Sequence, residues 1–252
     1  MKPLAASWVD VFVFPGDKLF KLEDGDNIRI GQGVFKKGEY LVAVKPGYLH
    51  KDGNKVWVET AQKRYIPCVG DVVIGVIVER SSEFYQVDIG GFSTALLPLL
   101  AFEGATKRNR PHLTVGSCVY ARVVSTDRDS EPQLSCLLPG TQHSWVTGET
   151  IFGELNQGNL VHCSISLCRN ILLGKNSVFT ELGKYIAFEQ ATGMNGRIWV
   201  RSQSAGHIVL LSNLLVCSEN MTNEQLNAMI RNLVSKMTAT TPTAIDEATN
   251  GR

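Results

Sequence analysis

One pattern in the middle of the chain restricts the possible fold more than any other. A valine, a glycine and a polar residue precede an apolar run at Val69-Gly70-Asp71, and the same order returns at Val115-Gly116-Ser117. Further short apolar or alternating runs lie at 84–89, 94–99 and 133–138. Five short strands with glycine at the bends are typical of a small Greek-key barrel of the OB type.

The residues before this barrel have a second all-β pattern. Their short apolar runs are separated by turn sequences such as Pro15-Gly16-Asp17 and Asp52-Gly53-Asn54. Gly16 follows proline, which suits a type II turn that needs a positive φ at the glycine. Residues 56–60 alternate with the period of two that a half-buried strand shows. These features predict a small N-terminal β-domain.

The last part of the chain has the pattern of an α+β domain. Three segments have the apolar spacing of helices: 176–185, 204–216 and 222–237. Ser177 is the expected N-cap of the first helix, and Thr222 with Gln225 is an expected capping box at the start of the last. Two strand-like runs flank Gly193-Met194-Asn195-Gly196.

These patterns together predict a mixed, multidomain fold. The expected parts are an N-terminal β-domain (1–65), an OB-fold β-barrel (66–140), an α+β domain (141–237) and a tail (238–252). The tail is rich in Thr and Ala and has no apolar periodicity, so we expect it to be disordered.

Composition indicates a folded protein with reduced thiols. The chain is 44% hydrophobic and 19% charged, as globular proteins are. Its six cysteines are scattered and form no Cys-x-x-Cys pair, which argues against a zinc site and favours buried, reduced thiols in an intracellular protein. The N-terminus lacks the pattern of a secretory signal, and no apolar run is long enough to span a bilayer.

The sequence offers little that would support catalysis. The five histidines have no metal-type spacing, and no carboxylate cluster suggests a two-metal nuclease. Neither a phosphate loop ending in Gly-Lys-Ser/Thr nor a Gly-x-Ser-x-Gly turn is present. We therefore expect a protein that is not an enzyme and holds no cofactor or metal, with a hydrolase acting on RNA as a third hypothesis.

A single dense basic cluster stands out in a nearly neutral chain. Lys107, Arg108 and Arg110 fall within four residues, while the formal net charge of the whole protein is +1. Guanidinium groups donate bidentate hydrogen bonds to phosphate oxygens, so the cluster can contact nucleic acid. The alternatives are a solvated loop and a loop that docks on a partner protein. The small net charge means that any nucleic-acid binding is local, weak or shared with partner chains.

Three stretches carry a family resemblance. They are Gln62-Lys63-Arg64-Tyr65-Ile66-Pro67, Phe102-Glu103-Gly104-Ala105-Thr106-Lys107-Arg108-Asn109-Arg110-Pro111 and Gly193-Met194-Asn195-Gly196-Arg197-Ile198-Trp199-Val200. The barrel resembles an S1 domain, and the following region resembles a KH domain of the divergent Gly-x-Asn-Gly kind. In this order the domains resemble the cap subunits of the eukaryotic RNA exosome, of the type called ribosomal RNA-processing protein forty or exosome component three. The resemblance covers residues 8–237.

The resemblance implies a non-catalytic subunit. Such a subunit sits on a ring of RNase-PH-like subunits, beside the other two S1-bearing cap subunits, and guides single-stranded RNA towards a separate 3′→5′ exoribonuclease. It implies a role in rRNA processing and in mRNA and non-coding RNA turnover, with nuclear, nucleolar and cytoplasmic pools. Neither a membrane nor DNA is an expected partner. The alternative is a free-standing S1/KH regulator that binds single-stranded RNA alone.

The candidate RNA-binding residues have cationic or aromatic side chains on or beside the barrel: Lys107, Arg108, Arg110, Phe84, Tyr85, Phe92, Lys63 and Arg64. Aromatic side chains on OB-fold strands can stack on bases, and we place these three aromatics on strands. One or two of them are expected to belong to the core instead. Lys63 and Arg64 could face RNA or a partner protein.

Two further sets of residues are assigned structural or docking roles. The KH-like motif comprises Gly193, Met194, Asn195, Gly196, Arg197 and Trp199, and we expect it to be buried, at or near the boundary between the two domains. Asn-Gly between strand-like runs is also a favoured tight-turn sequence. Arg197 and Arg201 could reach RNA or pair with Glu181 or Glu189. The turn Phe14-Pro15-Gly16-Asp17 is the candidate docking edge for the ring.

Overall fold

The computed structural model describes residues 11–22, 27–127, 130–138 and 151–240, and only the backbone of 234–240. The chain divides into two compact units, Met1–Gln62 and Lys63–Arg252.

The first unit is all-β in its described part, which confirms the prediction for this region. Its strands are β1 Phe12–Val13, β2 Lys18–Lys21, β3 Arg29–Ile30, β4 Val34–Lys37, β5 Tyr40–Ala43, β6 Gly47–Asp52 and β7 Lys55–Glu59. They form two sheets, ordered β1-β6-β7-β3 and β2-β5-β4. Alternate side chains of β5 and β7, such as Leu41 and Val56, are buried in one common core.

The second unit begins with the barrel. Its strands are β8 Val72–Arg80, β9 Phe84–Asp88, β10 Ala95–Pro98, β11 Cys118–Ser125 and β12 Gln133–Ser135. Neighbouring strands pair in the order β8-β9-β10-β12-β11 and back to β8, so the barrel closes; only β10 and β12 run parallel. This confirms the predicted five-stranded OB-type barrel. A short strand that the sequence did not reveal, β13 Gly153–Leu155, pairs with the start of β11.

The rest of the second unit is α+β, as predicted. Its elements are β14 Asn159–His162, α1 Ile165–Leu172, α2 Val178–Leu182, β15 Phe188–Thr192, β16 Arg197–Ser202, α3 Ala205–Ser218 and α4 Asn223–Thr240. The strands form an antiparallel sheet ordered β14-β16-β15. Apolar side chains of β16, α2, α3 and α4, among them Val200, Leu182, Leu214 and Ile230, form its core.

The two parts of the second unit share apolar contacts. Ile165 at the start of α1 is buried in the barrel core, and Met194 packs against the same core. The barrel and the α+β region are therefore not separated by a solvated linker at this point.

The helix ends test two specific predictions. The capping box before α4 is confirmed, because the Thr222 amide donates to Gln225 Oε1 at 3.2 Å and the Gln225 amide donates to Thr222 Oγ1 at 3.4 Å. Ser177 holds the N-cap position of α2, as predicted, but its side chain makes no capping hydrogen bond. The Asn176 side chain accepts from the Val178 amide at 2.9 Å instead, because an amide two residues on is within reach of an Asx oxygen.

The predicted boundary of the tail also changes. Helix α4 continues to Thr240, so the first residues assigned to the tail are helical; residues 241–252 and 139–150 lie outside the described part of the chain. No helix in the described ranges is both long and apolar enough to cross a membrane.

Candidate RNA-binding loop and interdomain motif

The basic cluster lies on the long connection from β10 to β11, outside the barrel wall. Lys107, Arg108 and Arg110 are all exposed. Within the described ranges Lys107 and Arg108 have no ion-pair partner, while Arg110 donates to the carbonyl oxygen of Ser82 at 3.3 Å. Two cations are therefore left free to meet an anionic ligand.

Internal hydrogen bonds give this basic loop a defined shape. The Thr106 amide donates to the Asn109 carbonyl at 2.9 Å, and the Asn109 amide donates to Thr106 Oγ1 at 3.0 Å. The hydroxyl of Tyr85 donates to the Pro111 carbonyl at 2.7 Å. The loop therefore presents Lys107 and Arg108 on a turn that is tied to the barrel core.

The structure separates the three aromatic candidates. Phe92 is 68% exposed but lies in the bend after β9, so its predicted place on a strand is wrong. Phe84 lies on β9 and is partly buried. Tyr85 is fully buried, and its hydroxyl donates to Pro111 and accepts from the Leu113 amide. Tyr85 is a core residue that holds the basic loop, so the prediction that it stacks on bases is wrong.

Lys63 and Arg64 are exposed at the start of the second unit. The next residue, Tyr65, is buried and donates its hydroxyl hydrogen to Asp71 at 2.7 Å. Burial, followed by this hydrogen bond to a carboxylate, raises the pKa of Tyr65, so the phenol stays a neutral donor. The buried Tyr65 thus anchors the backbone next to the exposed Lys63 and Arg64.

The Gly-x-Asn-Gly motif forms the turn between β15 and β16 and packs against the barrel. The Asn195 side chain is 7% exposed. Its amide group donates to the carbonyl oxygens of Ile74 (2.8 Å) and Ile89 (2.9 Å), and its oxygen accepts from the Ile74 amide at 3.2 Å. The Met194 amide donates to the Val72 carbonyl at 2.7 Å. One side chain therefore satisfies three buried backbone groups of another domain.

Both glycines of the motif are required by close approach. A Cβ atom on Gly193 would lie 2.4 Å from Asn195 Oδ1 and 2.7 Å from the Ile74 nitrogen. Gly196 has φ +77°, and a Cβ there would lie 2.7 Å from the Cys163 carbonyl oxygen. Gly193 thus lets the turn approach the barrel, and Gly196 lets it pass close to the segment before α1.

An ion pair lies next to this turn. The Arg197 guanidinium donates to both the Asp88 carboxylate and the Asp88 carbonyl oxygen at 2.5 Å, and its side chain is 8% exposed. Partial burial raises the pKa of the Asp88 carboxyl, but hydrogen bonds from Arg197 and the Gly90 amide outweigh it, and the pKa is lowered. The suggested pairing of Arg197 with Glu181 or Glu189 is wrong, because its guanidinium turns towards the barrel.

The neighbouring residues of β16 have separate surroundings. Trp199 is 6% exposed. Arg201 lies at the surface, where it pairs with Glu189 at 3.5 Å and donates to Gln157 Oε1 at 3.0 Å. Of the two arginines in the motif region, the exposed one is therefore Arg201.

The predicted docking turn presents an aromatic surface in the first unit. Phe14 is 62% exposed, and its ring meets that of Phe12 edge-on with centroids 5.3 Å apart; Phe12 meets Tyr48 in the same way. The Phe14 amide donates to Asp17 Oδ2 at 2.8 Å, and Gly16 between them has φ +99°. We call Phe12, Phe14 and Tyr48 the aromatic patch.

The described residues contain little reactive chemistry. No group of three or more His, Cys, Asp or Glu side chains among them could hold a metal ion. None of the six cysteines, all of which lie in the described ranges, forms a disulfide. Burial raises the pKa of Cys136 and Cys168 to about 12, so these thiols stay protonated. Cys217 is exposed, contrary to the expectation of buried thiols.

Comparison with known proteins agrees with this architecture. A family model described as the S1 domain of exosome complex component RRP40 matches residues 65–148, and a KH-domain model matches 158–206. The exosome complex component rrp40 of Schizosaccharomyces pombe is 41% identical over 236 residues, which cover 90% of this chain and 95% of that protein. The chain belongs to the RRP40 family.

Other RRP40 relatives come from a mammal and a budding yeast. The mouse protein is 37% identical, with 83% of this chain and 78% of that protein covered, and the Saccharomyces cerevisiae protein is 32% identical, with 83% and 86% covered. A crystal structure described as an exosome complex RNA-binding protein shares the fold with a TM-score of 0.56 at 21% identity, and covers 70% of this chain and 99% of that one.

In this RRP40-family chain, sequence reasoning missed one important residue. Asp88 has the local bonding of a turn former, because its carboxylate accepts from the Gly90 amide at 2.9 Å. Its ion pair with Arg197 spans 109 positions, and no local pattern could reveal it. The only signal was Arg197, which follows the Gly-x-Asn-Gly turn in an apolar segment. A buried arginine there needs a carboxylate partner.

Proposed function

We propose that this chain is a non-catalytic, RNA-binding cap subunit of the RNA exosome. It guides single-stranded RNA into the central channel, towards a separate 3′→5′ exoribonuclease. The observation that carries the proposal is an exposed, preformed basic loop on the S1 barrel of an RRP40-family chain. The activity that follows is rRNA processing and turnover of mRNA and non-coding RNA.

The loop acts through phosphate contacts that carry no sequence information. Lys107 and Arg108 have free cationic groups on an ordered turn, and exposed Arg110 is beside them. Each phosphate neutralised by such a group releases counterions, so binding weakens as salt rises. With a net charge of +1 the chain is not strongly cationic, and the loop therefore contributes one part of a path that several subunits share.

The partners in this proposal are the RNase-PH-like ring subunits and the other S1-bearing cap subunits. The aromatic patch is the docking surface for the ring, because exposed aromatic rings are enriched in the energetic centres of protein interfaces. The chain works in the nucleus, the nucleolus and the cytoplasm. A free-standing S1/KH regulator is not favoured, because the relatives are named as exosome components. The match to this chain covers most of the length of each of them.

Changing Lys107, Arg108 and Arg110 together to alanine tests the RNA role. We expect the complex to assemble normally and to bind single-stranded RNA more weakly. The salt slope, which is the slope of log binding constant against log salt concentration, should fall by the equivalent of about two to three phosphate contacts. Fluorescence anisotropy of labelled RNA across a salt series measures both quantities. The matched control changes Lys36 and Lys37, exposed cations of the first unit, to alanine.

Two results would count against this role. An unchanged salt slope would mean that the basic loop does not contact phosphate. Failure of the variant to assemble would mean that the loop docks on a ring subunit instead.

A further inference from the structure

A small cavity lies beside the basic loop, between it and the start of β13. Its volume is about 230 Å³, and its lining includes Phe102, Glu103, Ala105, Asn109, Pro111 and Phe152. Sites for drug-sized ligands are larger, about 300–1,000 Å³. The cavity therefore suits a single planar ring system rather than a larger ligand.

The walls of this cavity are held from inside the protein. Phe102 is buried against Tyr85 in an edge-on contact with centroids 6.4 Å apart, and the Tyr85 hydroxyl also holds the carbonyl of Pro111. A second lining ring, Phe152, packs on Tyr120 at 5.3 Å between centroids. Because two walls are anchored to barrel residues, little order has to be gained when a ligand enters.

The lining combines an aromatic ring with unused polar groups. Phe152 is only partly buried and borders the open space. Among the described residues, neither the Asn109 side-chain amide nor the Glu103 carboxylate has a hydrogen-bond or ion-pair partner. An aromatic surface with amide and carboxylate groups at its rim matches a nucleobase, which has a flat face and a polar edge.

The position of the cavity connects it to the phosphate-binding cations. Lys107 and Arg108 lie in the chain between two lining residues, Ala105 and Asn109, on the same hydrogen-bonded turn. A nucleotide whose phosphate meets these cations would carry its base next to the cavity mouth.

We propose that this cavity receives one unpaired nucleobase of the guided RNA. The base packs against Phe152, its polar edge meets Asn109, and the adjoining phosphates contact Lys107 and Arg108. This inference rests on the proposed function. It adds one base-binding site to the phosphate contacts at the point where the strand passes the basic loop.

The test uses a series of labelled oligouridylates, each with one abasic site at a different position, and measures the binding of each to the assembled complex. We expect one position at which removal of the base weakens binding about tenfold, the scale of one lost base–aromatic stack. In Asn109→Ala and Phe152→Leu complexes that position should lose its effect, while the salt slope stays unchanged. Asn54→Ala, an exposed asparagine of a hairpin turn in the first unit, is the matched control.

The outcomes separate this inference from the proposed function. If the wild-type complex binds with a salt slope but no position is sensitive, or if both variants keep the sensitive position, the base pocket is wrong and the RNA role survives. If the basic-loop alanine variant also leaves the salt slope unchanged, the proposed RNA role fails, and the pocket fails with it. If Asn109→Ala folds normally by thermal melting but fails to assemble, the cavity receives a partner protein's side chain.

Discussion

At the residue scale, Asn195 shows why an amide side chain is needed at the domain boundary. It donates twice and accepts once, and all three partners are backbone groups of the barrel. A carboxylate could only accept, and an apolar side chain could do neither. These backbone groups lie away from water, so without Asn195 the Ile74 amide and the Ile89 carbonyl would each lose this partner, while the Ile74 carbonyl would keep a 3.4 Å bond from Arg197.

Asn195→Ala should lower the free energy of unfolding of the full chain by about 3 kcal/mol, since each buried group left unpaired costs about 1–3 kcal/mol. Urea denaturation followed by circular dichroism measures the change. Asn54→Ala in the exposed turn of the first unit should stay within about 0.5 kcal/mol of wild type. A comparably small effect at Asn195 would show that its hydrogen bonds are replaceable.

Sequence reasoning at this scale succeeded where a residue's role depends on its close neighbours. The Thr222–Gln225 capping box spans four residues, and it was predictable. The burial of Tyr85 was not, because alternation along β9 leaves open which face is inside. The partner of Asn195 lies 121 positions away and could not be inferred from the motif alone.

At the element scale, the contact between the end of β9 and the start of β16 links two domains through one ion pair. Arg197 is almost completely buried, and Asp88 is its carboxylate partner. Removing the partner of a buried charge leaves that charge uncompensated, which is usually costly. The pair therefore fixes the register between the β15–β16 turn and the barrel.

This ion pair should make stability depend on pH in acid. The pKa of Asp88 is lower in the folded chain than its ordinary value of about 3.9, so the folded state binds its proton less tightly than the unfolded state. The contribution is present above that ordinary pKa and is lost as pH falls through the folded pKa. The stability difference between wild type and Asp88→Asn should be constant from pH 7 to about pH 5 and shrink towards pH 3.

Urea denaturation at each pH measures this difference, and Asp52→Asn at the exposed end of β6 is the control. A difference that stays constant down to pH 3 would mean that the Asp88 carboxylate contributes nothing through its charge.

The elements themselves were predictable in proportion to their length and periodicity. Helices α3 and α4 and the long barrel strands β8 and β11 have clear apolar patterns. Strand β13 has three residues and β14 has four, too few for a period to be recognised. Their places come from pairing with β11 and β16, which depends on the tertiary fold.

At the scale of the whole molecule, the two compact units have different proposed tasks. The unit Lys63–Arg252 holds the basic loop and the buried motif, and the unit Met1–Gln62 holds the aromatic patch. The order of β-domain, S1 and KH could be predicted from the sequence because three long motifs carry it. Which surface meets which subunit depends on residues of other chains and was not predictable.

Phe14→Ala should weaken binding to the ring about tenfold or more, because an exposed aromatic side chain in a docking surface can act as a hot spot. Phe35→Ala is a close control, since Phe35 is 61% exposed and Phe14 is 62% exposed in the same unit. Competition of each variant with wild type during reconstitution measures the loss. Equal incorporation of both variants would remove the aromatic patch from the docking surface.

Affinity purification of the tagged chain from its own cells, with mass spectrometry of the bound proteins, tests the central claim most directly. The account predicts near-stoichiometric recovery of RNase-PH-like ring subunits and of the other S1-bearing cap subunits, at salt concentrations that remove RNA. Recovery of the folded chain with RNA but without ring subunits would contradict it.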